Sequence, residues 1–196
     1  MVETRLSFIR RVLRQIYGGI PSIDSNITDN LVNRWIQDGF CAAAKNNFVE
    51  NGQIDGVEYV NNSYYTTYSG LSLSASITED FCYVFTAPDI PVGLGANQGI
   101  GTVRFRDSNG NISQEAIPLT INQVGYQRNM RPIPNKILYW NEGNLVYCRS
   151  VLILSDFTAI VKMVSSGNFN DLNSNINVPQ DAFPFVVEYV KKQLSF

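Results

Sequence analysis

The hydrophobic period of this chain changes twice, and that change restricts its fold more than any other feature. Over Leu6–Tyr17 the apolar residues recur at helical spacing. Placed 100° apart, Phe8, Ile9, Val12, Leu13 and Ile16 share one face, with Arg10, Arg11 and Arg14 opposite. Gly18-Gly19 and Pro21 stop that helix. A second helix is expected from Ile27 to Phe48, capped by Asn26 with Asp29 in its first turn. Its buried stripe reads Leu31, Val32, Trp35, Ile36, Gly39, Ala42 and Ala43, and Asn51-Gly52 ends it.

From about 57 to 164 the period falls to two. Leu71 to Ile77 alternates apolar and polar, which gives a strand with one buried face. Phe81–Thr86 and Val103–Arg106 read the same way. After the Asp107–Asn111 turn, Ile112–Ile121 is expected to fold back as a hairpin. Lys136–Trp140 and Leu145–Arg149 flank Asn141-Glu142-Gly143-Asn144 as a second hairpin, and Val151–Leu154 and Thr158–Val164 complete the strands. A polar loop, Asn168–Asn177, precedes a last helix near Asp181, with Pro184 in its first turn. There Phe183, Val186, Val187, Val190 and Leu194 form the core stripe, with Trp35 and Val187 as central core positions. Phe185 and Tyr189 point away from it.

The expected fold class is α+β: N-terminal helices and a C-terminal helix around an antiparallel, β-rich middle. At 196 residues one domain suffices, with a helical part (1–50 and 178–196) and a β-rich part (57–164). A 44% hydrophobic content argues against wholesale disorder, and only 16% charged residues implies a neutral surface, some of it covered in use. A net charge of −2 gives no general attraction to nucleic acid or acidic lipid. The N-terminal stretch looks superficially like a signal peptide, but its arginines interrupt the apolar run, so neither a signal nor a membrane span is expected. Asn26-Ile27-Thr28, Asn61-Asn62-Ser63 and Asn111-Ile112-Ser113 fit the glycosylation pattern and carry little weight without such a signal.

No catalytic, metal-binding or cofactor-binding constellation can be assembled from these residues. With no histidine, a histidine-dependent triad is impossible, and Cys41, Cys82 and Cys148 form no metal-ligand spacing, so they read as buried free thiols. Gly93, Gly95, Gly99 and Gly101 lack the glycine at Gln98 that a dinucleotide loop needs, and no helix follows. They read as a loop extended against a neighbour. Glu79-Asp80, or Asp107 with Glu115, could run carboxylate hydrolysis, but nothing singles out one pair among 17 acidic residues. The run holding Tyr64, Tyr65 and Tyr68 could stack on sugars, although alternation in a half-exposed strand explains it as well. The basic face of Arg10, Arg11 and Arg14 reads first as solvated, next as paired with an acidic surface of another subunit, and last as a contact for nucleic-acid phosphates. Phe185 and Tyr189 read as buried under a loop of the same chain or against another chain.

Several segments then combine into one pattern. They are Pro132-Ile133-Pro134, Lys136 to Trp140, the Asn141–Asn144 turn, Leu145-Val146-Tyr147, and Val178-Pro179-Gln180-Asp181 leading into Phe183–Leu194. This resembles head-to-tail connector (adaptor or ring) proteins of short-tailed bacteriophages, including crAss-like phages, over about residues 1–50 and 130–196. The resemblance implies a non-catalytic virion protein without cofactors, assembled in the host cytoplasm. It implies a twelve-subunit ring of copies of itself below the portal protein and beside other tail or ring proteins, with DNA passing through without sequence-specific binding. A carbohydrate-binding or adhesin-like module is the alternative, and a small carboxylate hydrolase the third reading.

Overall fold

In the computed structural model, described here over residues 3–18, 27–94, 99–113, 115–128 and 130–195, the ends of the chain are helical and its middle is folded into sheets. In chain order the elements are β1 (Glu3–Thr4), α1 (Arg5–Tyr17), α2 (Asp29–Asp55), a short 3-10 turn (Asn62–Tyr64), β2 (Tyr65–Ser72), β3 (Ser74–Ala75) and β4 (Cys82–Thr86). There follow β5 (Ile100–Arg106), β6 (Ile117–Pro118), α3 (Ile121–Arg128), β7 (Leu138–Glu142), β8 (Leu145–Arg149), β9 (Thr158–Val164), β10 (Asn175–Ile176) and α4 (Phe183–Leu194). At 35% helix and 26% strand the class is α+β, with helices at both ends as the periodicity requires. The chain gathers into two compact units, a helical one (Met1–Tyr65 with Ser165–Phe196) and a β-rich one (Thr66–Val164).

In the helical unit, threonines start both long helices. Ser7 N–H donates to Thr4 Oγ1 and Leu31 N–H to Thr28 Oγ1, each at 3.3 Å, so orphan donors of the first turns are satisfied. Thr28, not Asn26, therefore caps α2; Asn26 lies outside the described residues, as do Gly19 and Pro21. Gly18, at φ +67°, ends α1. Nor does Asn51-Gly52 end α2. Asn51 Nδ2 donates to Tyr59 O at 2.9 Å, and the helix runs on to a left-handed Gly56. Its buried stripe is Val32, Asn33, Ile36, Gly39, Phe40, Ala43, Ala44 and Phe48. That is rotated from the expected one: Leu31 and Ala42 are exposed and Trp35 is only half-buried. The rotation follows from α4 packing at Gly39, where an added Cβ would stand 3.1 Å from Val186 Cα and 3.2 Å from Tyr189 Cβ. On α4, Val186 and Val190 are buried and Val187 is half-buried, again one step from the expected centre.

In the β-rich unit, two sheets share one apolar cluster. One sheet has the order β2-β9-β5, the other β3-β4-β8-β7-β6. Val103 and Phe105 of β5, Ala159, Val161 and Met163 of β9, Phe85 of β4, Tyr139 of β7, and Val146 and Cys148 of β8 meet in that cluster. The opposite face of the five-stranded sheet has its own smaller core, Cys82, Leu138 and Trp140 with Leu119 and Val124. Strand β7 thus sends Tyr139 to one side and Leu138 and Trp140 to the other, so it is buried on both faces. The β7–β8 hairpin forms, but with a tighter turn than expected: Asn141 and Glu142 belong to β7, Leu138 lies opposite Arg149 and Glu142 opposite Leu145, so Gly143-Asn144 alone makes the turn.

Three segments depart from expectation. Leu71–Ile77 is not one strand with a buried face: β2 ends at Ser72, β3 is only Ser74–Ala75 in the other sheet, and Ala75 and Ile77 are exposed. The return after Asn111 is partial: Ser113 N–H donates to Phe105 O at 2.7 Å and Ala116 N–H to Val103 O at 2.8 Å. The chain then leaves, pairs Ile117–Pro118 parallel to β7, and forms α3 where a strand end was expected. Val151–Leu154 is no strand either. Leu152 N–H donates to Ser150 Oγ at 3.0 Å, a local turn bond that replaces ladder pairing.

Candidate interaction surfaces

Of the five residues expected at an interface, all lie in the helical unit, and the structure uses them differently. Arg11 is committed within the chain. Its Nη2 lies 3.1 Å from Glu3 Oε2, and its guanidinium stands 4.9 Å from the Phe8 ring centroid and 4.4 Å from that of Phe183. The two rings themselves meet edge to face at 5.6 Å. Arg10 and Arg14 stay exposed beside a shallow groove of about 400 Å³ that they line with Glu3, Thr4, Leu6 and Ser7. Tyr189 is half-buried, its Cβ close to Gly39 of α2, so part of its ring surface is already spent on the fold. Phe185 remains 46% exposed. The expected aromatic pair therefore splits into one packing residue and one open one.

Among the described residues, the longest run of consecutive open apolar side chains lies in the β-rich unit. Val151, Leu152 and Ile153 are consecutive and 48, 51 and 69% exposed, while Leu154 turns inward. Leu152 also helps line a groove of about 450 Å³ with Ile117, Ile137, Asn135, Lys136 and Glu115. Sequence reasoning missed this surface because four apolar residues in a row read as a strand. Only their lack of a ladder partner turns them outward.

The charged candidates serve the fold. Glu79 Oε1 lies 2.7 Å from Arg128 Nε, and Glu115 Oε2 lies 3.2 Å from Arg104 Nη2. Asp107 accepts from Asn109 N–H at 2.9 Å, from Asn111 N–H at 2.8 Å and from Asn111 Nδ2 at 3.0 Å. The Asn111 side chain first, and then these backbone donors, hold its carboxyl below the usual range. It is a turn-former with its lone pairs occupied. Tyr64 is buried against Phe40, ring centroids 5.8 Å apart, and Tyr68 packs on the β core, so the tyrosine run presents no row of open rings. Gly99 is needed for close approach within the chain: a Cβ there would fall 2.1 Å from Val92 O. Gly95 lies outside the described residues.

The three thiols are free, Cys82 and Cys148 buried and Cys41 half-buried. Among the described residues no group of His, Cys, Asp and Glu is placed to hold a metal ion, and no helix is long and apolar enough to cross a membrane. No protein-family model matches the chain, and no curated protein is detectably similar to it in sequence.

Proposed function

We propose that this chain is a structural subunit of a virion, repeated in a ring of the head-to-tail connector below the portal, where it joins capsid to tail and lines the DNA channel. The observation behind the reading is that each unit leaves large apolar side chains in water. In the helical unit these include Phe185 together with the more open Val49, Ile54 and Val57, and in the β-rich unit the consecutive Val151, Leu152 and Ile153 together with Ile77 and Ile90. A ring subunit meets its neighbours head to tail, so it needs two unlike adhesive surfaces rather than one self-complementary patch. Fully burying a side chain of this size is worth about 1.5–3 kcal/mol, enough for a few such contacts to hold neighbours once assembly is templated. The exposed Arg10 and Arg14 add a small cationic face to the helical unit, suited to an acidic neighbour.

The reading is tested by measuring mass in solution, alone and with a portal ring encoded in the same genome. The expected result is many copies bound in one narrow stoichiometry, lost when Val151, Leu152 and Ile153 are all replaced by serine. A chain that stays single in the presence of every portal and tail protein of its genome overturns the proposal.

A further inference from the structure

A cleft of about 810 Å³ opens in the β-rich unit between the turn Thr78–Phe81, Arg128 with Met130–Pro132, and the end of β8 at Arg149. Arg149 is only 5% exposed. Its Nη1 donates to Asp80 O at 3.3 Å, and its Nη2 to Met130 O at 2.8 Å and Arg128 O at 3.5 Å. Its Nε has no partner, and among the described residues no carboxylate lies within ion-pair distance of its guanidinium. A buried cation held only by carbonyl dipoles is electrostatically incomplete, and a carboxylate in the cleft would complete it.

The other cationic residues divide clearly. Arg128 is already neutralised by Glu79 at 2.7 Å and Glu142 at 3.3 Å. Arg131 is exposed and, among the described residues, forms no ion pair, so it and Arg149 are the cations left to a ligand. Two apolar side chains stand beside them. Met130 and Phe81 line the cleft, and both remain about half exposed. Phe81 holds φ at +57°, a left-handed conformation that a bulky side chain rarely adopts. Its carbonyl accepts from Ser150 N–H at 3.0 Å, which ties the strained residue to the strand end carrying Arg149. Strain kept at a cleft wall, where relaxing it would withdraw an aromatic ring, suggests that the ring is used.

We propose that this cleft binds a short acidic segment of a partner polypeptide, one carboxylate lying on Arg149 and Arg131 and a neighbouring apolar or aromatic side chain lying on Phe81 and Met130. Polyanions fit poorly. Glu79 and Asp80 line the cleft beside the two available cations, and phosphate-backbone binding needs a track of cations, not a pair. A free inorganic anion would leave Phe81 and Met130 unused. The inference is independent of the ring reading, because a monomer in solution should bind the peptide as well.

The test is an NMR titration of the full-length chain at low salt with four probes: acetyl-Asp-Phe-Glu-Leu-amide, the same peptide with Asn and Gln for its acids, phenylacetate, and inorganic phosphate. The acidic peptide should shift Thr78–Phe81, Arg128, Arg131 and Arg149, with its amide twin about tenfold weaker. Arg131→Ala should weaken binding several-fold with an unchanged melting temperature. Phe81→Gly should weaken it while holding or raising the melting temperature, because strain is relieved. The proposal is overturned if the acidic peptide does not bind, if it binds elsewhere, or if its amide twin binds equally well. It also falls if phosphate or phenylacetate matches the peptide, since the site would then serve free anions, or if Arg131→Ala leaves affinity intact.

Discussion

Each unit of this protein buries a guanidinium, and the two do so in opposite ways. In the helical unit Arg5 is fully enclosed. Its Nη1 donates to Asn33 Oδ1 at 3.1 Å, its Nη2 to Ser166 O at 3.1 Å and Ser166 Oγ at 3.0 Å, and it lies 5.9 Å from the centre of the Phe169 ring. Ser166 passes the chain of bonds on, donating from Oγ to Gln37 Oε1. Those contacts tie the first turn of α1 to α2 and to the 165–169 segment, so Arg5 acts as an internal peg. In the β-rich unit Arg149 also anchors two loops through carbonyls, but it does so at the wall of a cleft. The lesson is that a buried charge is not one kind of feature. Where it is enclosed by its own chain it fixes the fold, and where it fronts a cleft it leaves capacity for a ligand.

The largest effect should come from breaking the enclosed member. Arg5→Ala removes a large buried side chain and orphans acceptors on Asn33 and Ser166, so urea denaturation should show a loss of about 2–5 kcal/mol. Arg149→Ala should cost less, about 1–3 kcal/mol, because water from the cleft can reach the freed carbonyls. If Arg149→Ala proves the more damaging of the two, the distinction between peg and site fails.

How much of this was legible in the sequence depends on which residue type occupied a periodic position. Arg5 sits three before Phe8 and four before Ile9, on the buried face of α1, so the spacing alone points inward. A charged residue at the start of a stripe is read as the edge of that stripe, which is why the peg was missed. The α2 stripe was found but rotated by a step. Intrahelical periodicity cannot distinguish a wide apolar face centred on Ile36 and Phe40 from one centred on Trp35, and the choice is made by α4 arriving at Gly39. Helix α3 was illegible because Ile121–Arg128 carries no apolar stripe; Val124 is the residue of it described in the small core beside Trp140. The Arg149 cleft had no sequence signal, since its walls come from three segments far apart in the chain.

A second difference between the units lies in their titrating groups, and alkaline pH should expose it. Burial is the main cause that pushes the Cys82 thiol up to about 11, with Glu79 adding to it, and burial pushes Cys148 well above its ordinary range. Both thiols belong to the β-rich unit. In the unfolded chain they ionise near pH 8.5, so stability they contribute is complete below that value and lost as pH rises toward 11. In the helical unit the buried Tyr64 hydroxyl is raised above its ordinary value, chiefly by burial and then by Asp181, so its loss begins only above about pH 10. The two tryptophans separate the signals: Trp35 reports the helical unit and Trp140 the β-rich one. In single-tryptophan variants made by Trp→Phe exchange, the Trp140 signal should lose denaturant resistance between pH 8.5 and 10 while the Trp35 signal holds. Cys148→Ala should flatten that decline. Coincident losses in both variants would mean that the thiols do not set the difference.

The smallest expected effect concerns the two aromatics of α4, and it decides which of them is free for a partner. Phe185 and Tyr189 are one helical turn apart, and spacing alone places them together. Packing separates them, because Tyr189 Cβ lies against the only position on the α2 stripe that has no side chain, Gly39, while Phe185 stays open. Phe185→Ser removes few internal contacts, so its stability should change by no more than about 0.5 kcal/mol. Tyr189→Ser withdraws a ring from a tight helix crossing and should cost about 1 kcal/mol or more. Measured by thermal and urea denaturation, that order places Phe185 in the interface class and Tyr189 in the fold class. Equal costs would put both residues in the core of the helical unit and would leave Val151–Ile153 as the apolar surface on which assembly must rest.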